Sequence, residues 1–289
     1  MKAQALLACV AASVTVYSFV GCSSPEPTPA FEPGTVQTKS ELAAYPAGPY
    51  GVGKGSTIPN LTFIGYANAV AKSDTMQMIA LGDFFNPHGR DTAYVPAAGE
   101  PDDRLHPAGS QYGEGQKKPT VLAISVSSVW CNPCNLESRC LLPVHQRIYG
   151  ACGGGLFLQL QDGNDYGVAA TPKELNTWAV KTYKEDFPTA IDPAARLLST
   201  VAAQEAFPVN IIIDTTTMKI VETVAGIPDD KYWKTYETLL ADPTCPGKTK
   251  ECTTNADCAA IPGTTCATSC PADPILCIPN TCQRSGCNQ

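Results

Sequence analysis

Positive charge is in short supply here: 20 lysines and arginines stand against 27 aspartates and glutamates, a formal net charge of −7. A surface that neutralises phosphates needs the opposite balance, so nucleic acid is excluded as a partner. No apolar run is long enough for a membrane-spanning helix; the stretch from Ala5 to Val20 stops short of the roughly 20 residues a span requires. Histidine is scarce, three in 289 residues, and none falls in the cysteine-rich end of the chain after Thr244. That end also has no C-x₂-C pair and few large apolar residues, so it offers neither a zinc ligand pattern nor a hydrophobic core.

Cysteine is abundant instead. There are fourteen, eight of them between Cys245 and Gln289. A segment that cannot bury a core must be held by disulfides, which persist only in an exported chain. The eight residues Cys245, Cys252, Cys258, Cys266, Cys270, Cys277, Cys282 and Cys287 are therefore expected to form four bridges, with 105 pairings open.

The N-terminus agrees with export. Lys2 followed by the apolar run and then Gly21-Cys22 reads as a signal segment over 1–21. Val20-Gly21-Cys22 resembles a bacterial lipobox, although Phe19 stands where that pattern usually has leucine. The resemblance implies lipid on Cys22 and a membrane-attached chain, and Ser23 rather than aspartate after the cysteine implies the outer membrane. Simple cleavage or an uncleaved anchor is the alternative. Residues 22–44, rich in proline and glutamate after Cys22, are expected to be a tether. The span 45–243 is long enough for one well-buried domain, with 244–289 as a disulfide-stapled tail.

Within that domain the organising stretch is Trp130-Cys131-Asn132-Pro133-Cys134, at the end of the β-branched run Thr120 to Val126. The run predicts a buried strand, and the residues after Cys134 predict a helix to Tyr149, ending at Gly150. A cysteine at a helix N-terminus meets unpaired N–H groups and the positive end of the dipole, which favours thiolate. The second cysteine, three residues on, returns to the same face and can resolve a mixed disulfide. Pro133 suits the first helical turn. Haem attachment is excluded, because Asn135 occupies the position of the required histidine.

Trp-Cys-x-Pro-Cys resembles the active site of thioredoxin-fold oxidoreductases. Glu137, three residues past Cys134, together with the tethered N-terminus, resembles the TlpA/ResA branch of membrane-attached redoxins. The resemblance implies an α/β thioredoxin-like fold, with Cys131 attacking, Cys134 resolving and Glu137 tuning or carrying protons. It implies protein thiols and disulfides as substrates, a redox donor in the cell envelope, and no cofactor or metal. An exposed helix-start glutamate is the plain alternative for Glu137.

Two runs, Ile58 to Tyr66 and Met76 to Phe84, alternate as strands and match the N-terminal hairpin of that branch. From Asn86 to Lys118 glycine, proline, aspartate and histidine predict a long surface loop, either shaping a partner groove or merely inserted. Pro143 is expected to kink the helix one turn later than in the related proteins. Gly155 to Leu160 reads as a strand, Thr171 to Glu174 as a capping box, and Asp192-Pro193 as the start of a helix to about Gln204. Phe207-Pro208 followed by Val209 to Asp214 and Lys219 to Val224 looks like the cis-proline hairpin of thioredoxins, which places Trp130, Phe207 and Pro208 at the substrate groove. Tyr232 to Leu240 reads as a last amphipathic helix. Cys140 faces away from the redox pair; whether it bridges to Cys152 stays open, since a straight helix would hold the two too far apart, and His145 is expected to lie on the helix surface. Two other functions stay open: a peroxiredoxin-like peroxidase, for which Ser128 fits but Ile124 stands where proline is wanted, and a non-catalytic binding module.

Overall fold

The computed structural model describes residues 30–31, 44–51, 53–71, 75–200, 206–248, 251–261, 263–269, 277–284 and 287. The expected signal segment, Cys22 and Cys270 lie outside the described residues. Strands β1 (Ala30–Phe31), β2 (Thr62–Tyr66), β3 (Thr75–Ala80), β4 (Val121–Ser128), β5 (Gly154–Asp162), β6 (Thr189–Ile191), β7 (Val209–Asp214) and β8 (Lys219–Ala225) form one sheet in the order β1-β3-β2-β6-β5-β4-β7-β8. The chain thus adopts the expected α/β fold of thioredoxin-like type, with the N-terminal hairpin as β2 and β3 and a disulfide-rich C-terminal region.

Sheet order follows from burial. All eight residues of β4 are buried, as a β-branched strand flanked on both sides must be; β5 runs parallel to it and β7 antiparallel. The hairpin joins this core through β2 and β6, where Gly65 is required: a Cβ there would sit 2.0 Å from the Thr189 carbonyl oxygen.

Alternation along β4 separates two cores. Val121 and Ala123 face a cluster with Leu158, Trp178, Trp233 and Tyr236, beneath the active-site helix and α5 (Asp230–Glu237). Leu122, Ile124 and Val126 face a second cluster with Phe63, Phe84, Phe157 and Leu197. By the same parity Ser125 and Ser127 turn toward the first face, where they become part of the site.

The second face is not covered by helices alone. Its described helix, Arg196–Thr200, begins later than Asp192-Pro193 implied, with residues 201–205 outside the described residues, and the stretch expected to be a surface loop does part of the covering. Tyr112 from that loop packs at 5.2 Å from Phe84, His106 is buried against Tyr112, and Lys118 is buried with its Nζ on the Phe85 carbonyl. Arg90 clamps the loop to three elements at once, through both Asp214 oxygens, the Thr216 hydroxyl and the carbonyls of Thr120 and Leu239. Because charged hydrogen bonds of this kind are each worth about 1.5–3 kcal/mol, Arg90→Met is expected to cost about 3 kcal/mol, read as a lower urea midpoint. A loss under about 0.5 kcal/mol, the scale of an ordinary surface substitution, would show that the loop is only draped over the sheet.

The helix after the dithiol runs as α1 (Asn132–Leu136), a π turn (Glu137–Leu141) and α2 (Leu142–Ala151). Pro143 accounts for the widened turn: its ring crowds the carbonyl of Arg139, and the Leu142 N–H reaches back five residues to Glu137 instead. His145 is not on the surface. It is buried and stacked 3.7 Å from Trp233, and burial pushes its imidazole down to about 3, so it is neutral.

Cys140 and Cys152 do not pair with each other. On a nearly continuous helix twelve residues span about 18 Å, far beyond disulfide reach. Each cysteine instead pairs with the tail, as Cys140–Cys287 and Cys152–Cys245. This also corrects the expectation of four bridges inside the tail, where Cys252–Cys266 and Cys258–Cys282 are internal and Cys277 is oxidised too. The strands β9 (Thr264–Ala267) and β10 (Thr281–Arg284) pair in the tail, and Arg147 of α2 holds it through Glu251 and the Cys282 carbonyl. The sulfur atoms of Cys252, Cys258 and Cys282 lie close together because two disulfides stack there, so none is a free metal ligand.

Candidate functional site

The dithiol sits where β4 ends on the helix. A register shift between Ser127 and Ser128 skips Gln161 of β5, so that Ser128 pairs with Asp162 as the chain enters the turn. Cys131 takes the N-cap position in extended conformation, and its sulfur accepts the Cys134 N–H at 3.1 Å. That contact is the local field the sequence implied: a backbone donor and a helix N-terminus aimed at one sulfur. Cys131 and Cys134 form a disulfide, with Cα atoms 5.3 Å apart, while Asn132 and Pro133 between them are exposed. Asn135 fixes the turn, donating to the carbonyls of Val129 and Cys131 and accepting from the Tyr183 hydroxyl.

One turn past Cys134, Glu137 is completely buried and not the exposed helix-start residue of the alternative expectation. The Ser125 hydroxyl donates to its Oε2 at 2.6 Å, and Ser127 lies 3.2 Å further along the same face of β4. Its Oε1 is buried with no hydrogen-bond partner among the described residues. Burial pushes the carboxyl up to about 7, against the lowering pull of Ser125 and the Asn210 side chain. Such a group is half ionised at neutral pH, as proton transfer requires.

A second buried carboxyl, Glu185, lies within electrostatic range. Burial, followed by the neighbouring Asp186, raises it well above the carboxylate range, with Arg284 of the tail lowering it and Glu137 raising it.

The rim is aromatic. Trp130 is 39% exposed, donates from Nε1 to Asp162 at 3.2 Å, and meets Tyr166 and Phe207 edge-on at 5.3 and 5.8 Å. The Phe207-Pro208 peptide is cis, and Pro208 accepts the Gly226 N–H at 2.8 Å. The fold therefore gathers Trp130, Cys131, Cys134, Glu137 and Phe207 around one helix end. Ser125, Asp162, Tyr166 and Tyr183 also belong there and were not foreseen. Strand parity could have pointed to Ser125, whereas Asp162, Tyr166 and Tyr183 arrive from other elements and leave no mark near the motif.

No family model and no curated protein matches the sequence. Among solved structures the chain is similar to a thiol:disulfide interchange protein, DsbE, of Chlorobium tepidum, at 14% identity over 65% of this chain and 98% of that one, TM-score 0.43. It is similar to an exposed lipoprotein thioredoxin of Streptococcus pneumoniae at 15% identity, 63% and 98% coverage and TM-score 0.39. A secreted thiol-disulfide isomerase of Corynebacterium glutamicum gives 16%, 64%, 84% and 0.40 in the same order.

Proposed function

We propose that the protein is an exported thiol–disulfide oxidoreductase acting on protein disulfides through Cys131 and Cys134. The observation that carries this reading is the Cys131 sulfur at the helix N-cap, paired with Cys134 and followed one turn later by the buried Glu137. In the reduced enzyme the Cys131 thiolate attacks one sulfur of a substrate disulfide, forming a mixed disulfide and expelling the other sulfur as a thiolate. Glu137 takes the proton from Cys134, whose thiolate attacks Cys131 and expels the substrate's second sulfur. The substrate gains two electrons; of the two protons that its thiolates take up, one comes from Cys134 by way of Glu137 and the other from water, and the enzyme is left as the Cys131–Cys134 disulfide. A dithiol donor in the cell envelope restores it.

In this reading Trp130, Phe207 and Pro208 dock the substrate chain, residues 1–21 direct export, Cys22 carries lipid, and 22–44 holds the domain 45–243 off the outer membrane. Among the described residues no helix is long and apolar enough to cross a bilayer. The reduced protein should release thiols from an unfolded, disulfide-bonded protein, and Cys131→Ser should abolish that release. Rapid consumption of hydrogen peroxide without exchange would favour a peroxidase instead. Cys22→Ser should free the protein from the membrane fraction; retention there would remove the lipid anchor from the reading.

A further inference from the structure

A cleft of about 880 Å³ opens at Pro133, between the two active-site cysteines, and runs between α2 and the loop before α5. Leu141, His145, Ile227 and Trp233 line it from the domain, and Ile278 of the tail closes it. Ile278 and Ile227 pack together with Cys140, Leu141 and Cys287, so the Cys140–Cys287 bridge pins this wall against the active-site helix. The cleft is apolar apart from its charged rim, which carries both signs in Asp229, Asp230, Lys231 and Lys234. His145 presents its ring to this wall, stacked on Trp233 and buried, so it adds to the apolar lining.

We propose that the tail is a specificity element, and that this cleft takes an aliphatic or aromatic side chain next to the reacting cysteine of an extended polypeptide. The inference rests on the thiol–disulfide reading and names its substrate class, incompletely folded proteins with apolar residues beside cysteine. Two features select that occupant. The cleft is continuous with the dithiol through Pro133, so whatever fills it is attached close to the sulfur being exchanged. Its apolar lining with balanced rim charge favours a neutral hydrophobic group over a charged one. Exposed Trp130 and Tyr166 extend the apolar surface at the dithiol, so that a chain lying across Cys131 meets more than one hydrophobic contact.

The test uses the full chain with Cys131 and Cys134 reduced. Two probes are compared: a labelled twelve-residue peptide whose single cysteine, between leucine and phenylalanine, is blocked as a mixed disulfide, and 2-hydroxyethyl disulfide. In Ile278→Asp the ratio of kcat/KM for the peptide to that for the small disulfide should fall about tenfold. Ile278→Trp, which fills the cleft while keeping it apolar, should lower the same ratio and guards against loss of the fold in the first variant. An unchanged ratio in both variants overturns the proposal while leaving the dithiol chemistry intact. Fluorescence anisotropy of the peptide with serine in place of cysteine separates the two ideas further. Binding that weakens in the Ile278 variants supports the cleft even if no exchange occurs, and binding that is indifferent to them refutes it.

Discussion

Replacing Cys140 and Cys287 together by serine is expected to lower stability by about 3–4 kcal/mol, the range of the chain-entropy model for loops of tens of residues. The two cysteines are 147 residues apart in sequence, which alone would put the effect at the top of that model. Cys152–Cys245 already ties the far part of the loop, so the extra freedom gained is that of a shorter ring. Thermal unfolding of the oxidised protein should show a Tm lower by about 10 °C. The same variant frees the tail from the π turn and so should reduce the preference for apolar-flanked cysteines. A loss below about 1 kcal/mol would mean that the Arg147–Glu251 contact, and not the staple, holds the tail in place.

Glu137→Gln has the second large effect, and it acts in opposite directions on stability and on rate. Folding raises this carboxyl from 4.5 to about 7, so the folded chain binds more protons than the unfolded one across that window. The stability this group contributes is complete below pH 4.5 and is lost as pH rises through about 7. The shift corresponds to about 3 kcal/mol. Glutamine accepts the Ser125 hydrogen bond without ionising, so the variant should be more stable than the native protein above pH 7 by up to that amount, with the two converging toward pH 4.5. Glu185 shifts in the same direction, and because the Glu137 charge is one cause of that shift, Glu137→Gln should also bring Glu185 down toward its ordinary range and add to the gain above pH 7. Disulfide exchange should slow by roughly 10²-fold, a usual scale for losing a proton acceptor, and its rise through neutral pH should disappear. Equal stability at all pH values would place Glu137 among ordinary structural residues.

Much of this site is visible in the sequence because it is local. The strand run, the N-capping cysteine, Pro133 and Cys134 all lie within a dozen residues, and each has one plausible conformation. Phe207-Pro208 was legible for the same reason, as a proline opening an apolar strand. What could not be read is what depends on packing between distant segments. His145 is buried because Trp233, from a helix distant in sequence, stacks on it, which no pattern near His145 shows. The even count of eight tail cysteines suggested a closed set, whereas Cys245 and Cys287 find partners on the helix nearly 100 and 150 residues away. Loop 86–118 carries turn residues and looked solvated, but its few large groups, Tyr112 and His106 among them, are what the second sheet face lacked.

The most direct test of the account is to mix the reduced protein carrying Cys134→Ser with a disulfide-containing protein and weigh the product intact. The account predicts a covalent adduct through Cys131, reversed by a small thiol and absent from the Cys131→Ser control. Failure of any adduct to form, with Cys131 reduced and the protein folded, would contradict it.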